Sequence, residues 1–351
     1  MTERGHNIIV YCVESSPLHK NAIEKDLTIR IVKKNKKYFD IINAYKVKKL
    51  LKSDNIQFVW LRDNRDIGTI GIAKILSKNK FKIVFQQGMQ ISIPKKDIIH
   101  NIRFNRIDIW LTPLKRLADE LKQNTNFPAD KTYIVPIGIE TDKFFPSKYS
   151  KTKARQILKL PVERKIIGII GRIDPKKGQL FLVKALSELH KRGLKYDLLI
   201  VGEKTKNHTD IFYDNFISEI NKSNIKSHIH LRPFIEDTSL FYNSIDVFTM
   251  ASEKETYGMV TIEALVSGVV ITGTNSGGTP EILDYGIYGQ LFAPGYIDDF
   301  CNIIMKIDKN FDDYRQKALS AQKIALQKYS HIKECQEIEK ILIHNLELKE
   351  N

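Results

Sequence analysis

Two carboxylates in the second half of the chain have the spacing to bracket a ligand. Glu255 lies in the polar stretch ASEKETYG, and Glu263 lies about one and a half turns into MVTIEALV, a helical stretch ended by Gly268. The apolar runs on either side, IDVFTM and VVITG, read as buried strands, so Ile245 to Leu283 forms a βαβ unit whose loop sits at the carboxyl end of its first strand. In open parallel sheets ligands bind at that edge, and the free amides at a helix start suit a phosphate. The only polar residues of MVTIEALV are Thr261 and Glu263, which project about 200° apart, so this helix has no single solvated face. A carboxylate on it needs hydrogen-bond donors, and the hydroxyls of a ribose would serve. On spacing alone, ordinary surface glutamates fit equally well.

A second constellation precedes this one. IIGIIGRID (166–174) is an apolar run ending in Gly171-Arg172, and Pro175-Lys176-Lys177-Gly178 leads from it into the helical QLFLVKALSELH. A strand, a tight turn carrying Arg and Lys, and a helix start make a clamp for a diphosphate, with Arg supplying a planar fork and Lys a point charge. As an isolated motif it is also a common turn. His208, His228 and His230 read as loop or strand residues rather than ligands.

Glu255-Thr256-Tyr257-Gly258, then Glu263, Ala264 and Gly268, then Ser276-Gly277-Gly278-Thr279-Pro280-Glu281, strongly resemble the retaining glycosyltransferases of family 4. These are two-domain enzymes of the GT-B architecture that use nucleotide-activated sugars. The resemblance implies that Glu255 faces the donor sugar, that Glu263 holds the ribose hydroxyls, and that the amides near Gly258, Met259 and Val260, beside Tyr257, receive the diphosphate. Gly171-Arg172 and Lys177 match the family's Gly-Arg and Lys-Gly pair, and the family's nucleobase loop falls around Arg232-Pro233-Phe234. The fold implied is α/β, two Rossmann-like doubly wound domains facing a cleft.

The elements that must position these residues follow the same pattern. In the first half, apolar runs at 8–13, 27–32, 56–61, 82–87, 107–112 and 132–137 alternate with helical patterns at 40–53, 66–79 and 113–124, which indicates parallel βα units. With 351 residues two domains are expected, 1–148 on the acceptor side and 149–328 on the donor side, divided near Phe144-Phe145-Pro146 and SKYSKTKAR. The apolar spacing of Ile332, Ile338, Ile341, Leu342 and Leu346 makes 329–351 a helix, and the resemblance implies that it packs back on the first domain.

Three departures from the family stand in the first half. Arg4-Gly5-His6 follows Met1 almost at once, so the resemblance implies that the first strand and its Gly-rich loop are lacking and that Met1 lies downstream of the true start. A doubly wound sheet without a central strand would leave backbone groups unpaired. Gln86-Gln87-Gly88 stands where the family often has a histidine, leaving Gln87 to hydrogen-bond a sugar. Tyr133-Ile134-Val135-Pro136-Ile137-Gly138-Ile139-Glu140 resembles the family's Pro-Asn-Gly-Val-Asp segment, with Ile137 and Glu140 replacing Asn and Asp.

Composition narrows the class further. At 42% hydrophobic and 28% charged the chain is of folded, water-compatible type. Its three cysteines, Cys12, Cys301 and Cys335, form no paired motif, which argues against zinc or a disulfide framework and for a reduced, cytoplasmic setting. No apolar run approaches the ~18 residues of a membrane span, and the first residues are too polar for a signal peptide. Residues 1–150 hold 28 of the 56 Lys+Arg but only 15 of the 41 Asp+Glu, which points to an acidic partner: an anionic membrane inner face, met peripherally, or a phosphorylated acceptor. Lys33, Lys34, Lys36 and Lys37, with Lys48, Lys49 and Lys52 on the following helix, form either a membrane face or a solvated one.

The function expected is transfer of a sugar from a nucleotide-diphosphate sugar to the hydroxyl of an acceptor glycan or lipid-linked sugar, with retention, in cell-surface polysaccharide or glycolipid synthesis. No Asp-x-Asp occurs, so no metal and no other cofactor are expected, and the Arg172 and Lys177 cations would take the metal's place. The rivals are a GT-B nucleotide-sugar epimerase and a catalytically silent nucleotide-sugar-binding subunit. No nucleic-acid recognition motif is present.

Overall fold

The computed structural model describes residues 1–36, 39–204 and 210–347; Lys37 of the basic run and His208 lie outside the described residues. The chain forms two compact units, Met1–Pro136 with Cys335–Asn351, and Ile137–Glu334. The division thus falls ahead of the linker expected near residue 148. Residues 137–149 are tied to the second unit by packing and hydrogen bonds. Phe144 packs edge-on against Tyr242 at 6.0 Å, Ser147 Oγ donates to Asn243 at 2.7 Å, and the Tyr149 hydroxyl donates to Asp237 at 3.2 Å.

Among the described residues the first unit is built on six parallel strands in two sheets. β1 (Ile9–Cys12) pairs with β2 (Thr28–Ile31), and β3 (Phe58–Leu61), β4 (Lys82–Gln86), β5 (Ile109–Thr112) and β6 (Thr132–Ile134) form the second sheet in that order. Among the described residues no ladder joins β1 to β3. The apolar layer nevertheless runs under both sheets: Tyr11 and Val32, from the β1–β2 region, pack against the cluster of Val47, Leu51, Ile70, Phe85 and Trp110.

Alternation along the strands separates the two faces of the larger sheet. Ile83, Phe85 and Trp110 point into that cluster, whereas Val84, Ile109 and Leu111 point to the other face, where Ile338 and Leu342 of the helix His331–Glu347 cover them. Glu339 of the same helix accepts hydrogen bonds from Arg4 at 2.9 Å and from His6 at 2.7 Å. Two helices not foreseen in this half, Pro17–Glu24 and Ile98–Phe104, are short and each capped. Ser16 accepts from the His19 amide at 3.2 Å and Asp97 from the His100 amide at 3.1 Å.

The second unit carries one six-stranded parallel sheet of β7 (Ile166–Ile170), β8 (Asp197–Val201), β9 (Ile229–Arg232), β10 (Val247–Met250), β11 (Val270–Thr274) and β12 (Gln290–Phe292), in the order β12-β11-β10-β7-β8-β9. Every residue of β8, β10 and β11 is buried, which is why these strands read as continuous apolar runs. The chain starts at β7, runs outward to β9, and returns to β10 on the other side of β7. That reversal between β7 and β10 is the switch point at whose carboxyl edge such sheets bind ligands.

Among the described residues no helix is long and apolar enough to cross a membrane.

Candidate functional site

The loops leaving β7 and β10 bring Lys177 and Glu255 together. Lys177 Nζ donates to Glu255 Oε2 at 2.7 Å, Ser252 Oγ stands 3.4 Å from the same oxygen, and the Thr256 amide donates to Oε1 at 3.2 Å. The side chains are 32% and 18% exposed, so the pair is partly shielded from water but reachable.

Backbone contacts hold the pair in place. A Cβ on Gly178, at φ +84°, would lie 2.3 Å from the Ala251 carbonyl oxygen, so only glycine lets the turn after Lys177 seat on the end of β10. A Cβ on Gly277, at φ +64°, would lie 2.1 Å from the Glu255 carbonyl oxygen. The next amide, Gly278, donates to that oxygen at 2.8 Å. From the other side, Glu253 N donates to Lys176 O at 3.1 Å, and Thr274 Oγ1 donates to Ser252 O at 2.7 Å.

Arg172 is exposed just past β7, and among the described residues its guanidinium pairs with no carboxylate. Its carbonyl oxygen is held by Gln179 Nε2 at 2.8 Å, and the adjoining Gly171 amide continues the ladder to Val201 O at 3.0 Å. The helix Met259–Val266 begins beside Glu255 behind Gly258, which has no side chain to cap it. The first amides, of Met259 and Val260, have no acceptor within the helix and are open to an anion.

Glu263, one turn further in, is asymmetric. Its Oε2 lies 3.0 Å from the Tyr242 hydroxyl and 3.3 Å from Thr238 Oγ1, whereas no protein group among the described residues donates to Oε1. Tyr242 is itself fully buried, and its one proton is shared between this carboxylate and the Val260 carbonyl at 2.9 Å. Burial raises the Glu263 pKa above the ordinary glutamate value, an effect opposed by the Tyr242 and Thr238 hydroxyls. Three more buried groups beside these loops, Gln179 Oε1, Thr261 Oγ1 and Thr279 Oγ1, have no protein partner.

Three residues expected at the site are engaged or placed elsewhere. The Tyr257 hydroxyl is buried and donates to Ile137 O at 2.9 Å, and burial drives its pKa upward, so it secures the start of the second unit instead of facing a ligand. Gln87, in the first unit, is buried, with Oε1 accepting from Trp110 Nε1 at 3.1 Å and Nε2 donating to Met89 O at 2.9 Å. Both ends of its amide are spent on the core. Phe234 is 69% exposed beyond β9, the edge strand, which β7 and β8 separate from β10.

His228 and His230 bind Asp197 at 2.9 and 2.7 Å at the amino end of β8, away from the site. A cavity of about 480 Å3 also opens at that edge, but its Lys165, Tyr196 and Asp308 satisfy one another at 2.8 Å. Among the described residues no group of three or more His, Cys, Asp or Glu could hold a metal. Tyr242 and Thr238, the donors to Glu263, carried no signal in the sequence, because they lie on a preceding element joined to Glu263 only by the fold.

A parallel sheet with a cationic, amide-lined switch point, in a chain with a second parallel α/β unit, has the GT-B architecture. The chain aligns with a glycosyltransferase from Rickettsia africae ESF-5 at a TM-score of 0.86, covering 98% of this chain and 92% of that one at 21% identity. It aligns with Anabaena HepE in complex with UDP at 0.84, over 96% and 92% of the two chains at 17% identity. Residues 150–323, within the second unit, match the family of glycosyl transferases group 1. It is 27% identical over 205 residues to a probable sucrose-phosphate synthase of Thermosipho melanesiensis, covering 57% of this chain and 44% of the relative. It is 25% identical over 204 residues to the D-inositol 3-phosphate glycosyltransferase of Corynebacterium aurimucosum, covering 57% and 48%. The matched region spans about half the length of these curated relatives.

Proposed function

We propose that the protein transfers a sugar from a nucleoside-diphosphate sugar to an acceptor hydroxyl on a glycan or lipid-linked sugar, with retention and without a bound metal, in cell-surface polysaccharide or glycolipid synthesis. The observation that carries this reading is the Lys177–Glu255 pair at 2.7 Å, held beside the open amides of Met259 and Val260, with Arg172, which meets no carboxylate among the described residues, after the same strand as Lys177. Complexes of Anabaena HepE with UDP and with UDP-glucose support a nucleotide sugar as the ligand class.

In this reading the diphosphate lies on the helix start. Arg172 offers it a fork, and Lys177 offers the two protons it does not give to Glu255. These cations and amides would stabilise the negative charge that grows on the diphosphate as its bond to the anomeric carbon breaks, the role a metal plays elsewhere. The acceptor hydroxyl forms the new bond at that carbon and passes its proton to the departing diphosphate oxygen. Glu255, already oriented by Lys177, Ser252 and the Thr256 amide, holds a sugar hydroxyl while positive charge develops on the ring. Glu263 Oε1 takes a ribose hydroxyl.

Arg172→Ala and Lys177→Ala are each expected to lower turnover at least about a hundred-fold, the scale of losing one preorganised charge donor, and to weaken nucleotide binding. Undiminished turnover would refute the clamp, and activity lost to a chelator would refute the metal-free reading. A second reading, a subunit that binds the nucleotide sugar without transferring it, is favoured by Gln87 being locked in the core and by the break between β1 and β3. Donor binding with neither hydrolysis nor transfer by the pure chain would support it.

A further inference from the structure

The two cations after β7 are placed by different means. Lys177 is seated through its backbone: the Lys177 amide donates to Asp174 O at 3.0 Å, Glu253 N donates to Lys176 O at 3.1 Å, and Gly178 packs on the Ala251 carbonyl. Its ammonium then meets Glu255 at 2.7 Å. Arg172 has no such side-chain partner. Its guanidinium pairs with no carboxylate among the described residues, so where it stands depends on its own stretch of backbone.

That stretch is braced along β8. Gly171 N donates to Val201 O at 3.0 Å and Ile173 N to Glu203 O at 2.9 Å. A Cβ on Gly202 would lie 2.0 Å from the Gly171 carbonyl oxygen, so the end of β8 touches the peptide that leads into Arg172. The carbonyl of Arg172 itself is reached, among the described residues, by a side chain: Gln179 Nε2 donates to it at 2.8 Å from seven positions further on.

Gln179 is an odd residue for its place. It opens the helix Gln179–Lys191 and is 1% exposed. With Leu182, Val183 and Leu186, all buried, it makes the i, i+3, i+4, i+7 stripe by which this helix meets the core, a position that packing alone would give to leucine or methionine. Its Oε1 is buried without a protein partner among the described residues. Such an oxygen is destabilising beside an apolar side chain of the same shape. Packing does not explain a glutamine there, and the bond to the Arg172 carbonyl does.

We propose, on the reading of the donor site given above, that Gln179 is the positioning residue of Arg172. Its amide holds the Arg172 peptide so that the guanidinium stands ready for the charge growing on the departing diphosphate. Held by its backbone, Arg172 has no ion pair to break before it meets that charge.

Release of nucleoside diphosphate from a panel of UDP, GDP and ADP sugars reads the reaction. Gln179→Met keeps the shape of the side chain, removes the unpaired Oε1 and frees the Arg172 carbonyl, which belongs to an exposed residue and can turn to water. The variant should melt no earlier than the parent, since it no longer buries an unpaired oxygen. Its kcat should still fall at least about ten-fold, with KM for the donor sugar changed less than about three-fold, as for a group misplaced in the transition state. In an Arg172→Ala background the same substitution should change kcat less than about two-fold, because no guanidinium is left to misplace. In Gln179→Glu the protonated carboxyl can donate to the Arg172 carbonyl and the carboxylate cannot. Its kcat relative to the parent at the same pH should therefore rise as pH falls through that carboxyl's pKa, and Gln179→Met should show no such rise.

Gln179→Met melting earlier than the parent with kcat intact would overturn the proposal and make Gln179 a packing residue. An equal loss of kcat with and without Arg172 would overturn it as well. The donor-site reading fails separately, through undiminished turnover of Arg172→Ala itself, and a parent that releases no nucleoside diphosphate from any sugar of the panel would overturn both.

Discussion

Replacing Glu263 by glutamine separates the two roles that a shielded carboxylate can have. Its Oε2 is supported by Tyr242 at 3.0 Å and Thr238 at 3.3 Å, its Oε1 receives no protein hydrogen bond among the described residues, and burial raises its pKa. For a carboxyl raised in the folded state, the native protein binds more protons than the unfolded chain between the two pKa values. Stability therefore falls as pH climbs from the ordinary glutamate value of about 4.3 to the raised one, and the deficit persists above it. Glutamine carries no charge to desolvate. Glu263→Gln should be at least as stable as the parent at neutral pH, with its advantage vanishing below about pH 4.

Nucleotide binding should move the other way. A hydrogen bond to a charged acceptor is worth about 1.5–3 kcal/mol, so losing the ribose contact should weaken binding roughly ten- to hundred-fold. In the parent, affinity should rise with pH through the interval above about 4.3, because the ionised form accepts the hydroxyl, and the variant should lose that dependence. Calorimetric melting together with titration against a panel of UDP, GDP and ADP sugars reads both effects. A variant that melts earlier at neutral pH and binds the panel as tightly as the parent would refute the reasoning and leave Glu263 a structural residue.

Two further outcomes follow from the geometry. Gly277→Ala puts a Cβ 2.1 Å from the Glu255 carbonyl at a left-handed φ, so it should cost more than about 2 kcal/mol in urea unfolding; a midpoint equal to the parent's would show that the loop yields. Gln87→Leu leaves the Trp110 indole N–H and the Met89 carbonyl without partners and should cost about 1–3 kcal/mol, with nucleotide affinity unchanged. A loss of affinity in that variant would return Gln87 to the ligand.

Much of the fold was legible because the strands are buried on both faces. IIGII, DLLIV and VFTM are continuous apolar runs, and burial on both sides of a parallel sheet requires them to be. The helices Pro17–Glu24 and Ile98–Phe104 were not foreseen, since each is short and their exposed Leu18, Ile23, Ile98 and Ile99 break the apolar spacing that marks a packed helix. The domain border was misplaced for a related reason. SKYSKTKAR looks like a linker by composition, but attachment is decided by contacts such as Ser147 with Asn243, which composition does not carry.

The sequence by itself determined the chemistry on offer: two glutamates about a helix start, an Arg and a Lys after an apolar strand, and the glycines between them. Side-chain type and local spacing are written residue by residue. Only the tertiary structure decided who meets whom. Lys177 and Glu255, 78 positions apart, share one hydrogen bond because the chain reverses between β7 and β10. Tyr257 and Gln87, plausible ligand groups by type, were committed to Ile137 and Trp110, because a buried polar group must take the nearest partner the packing supplies.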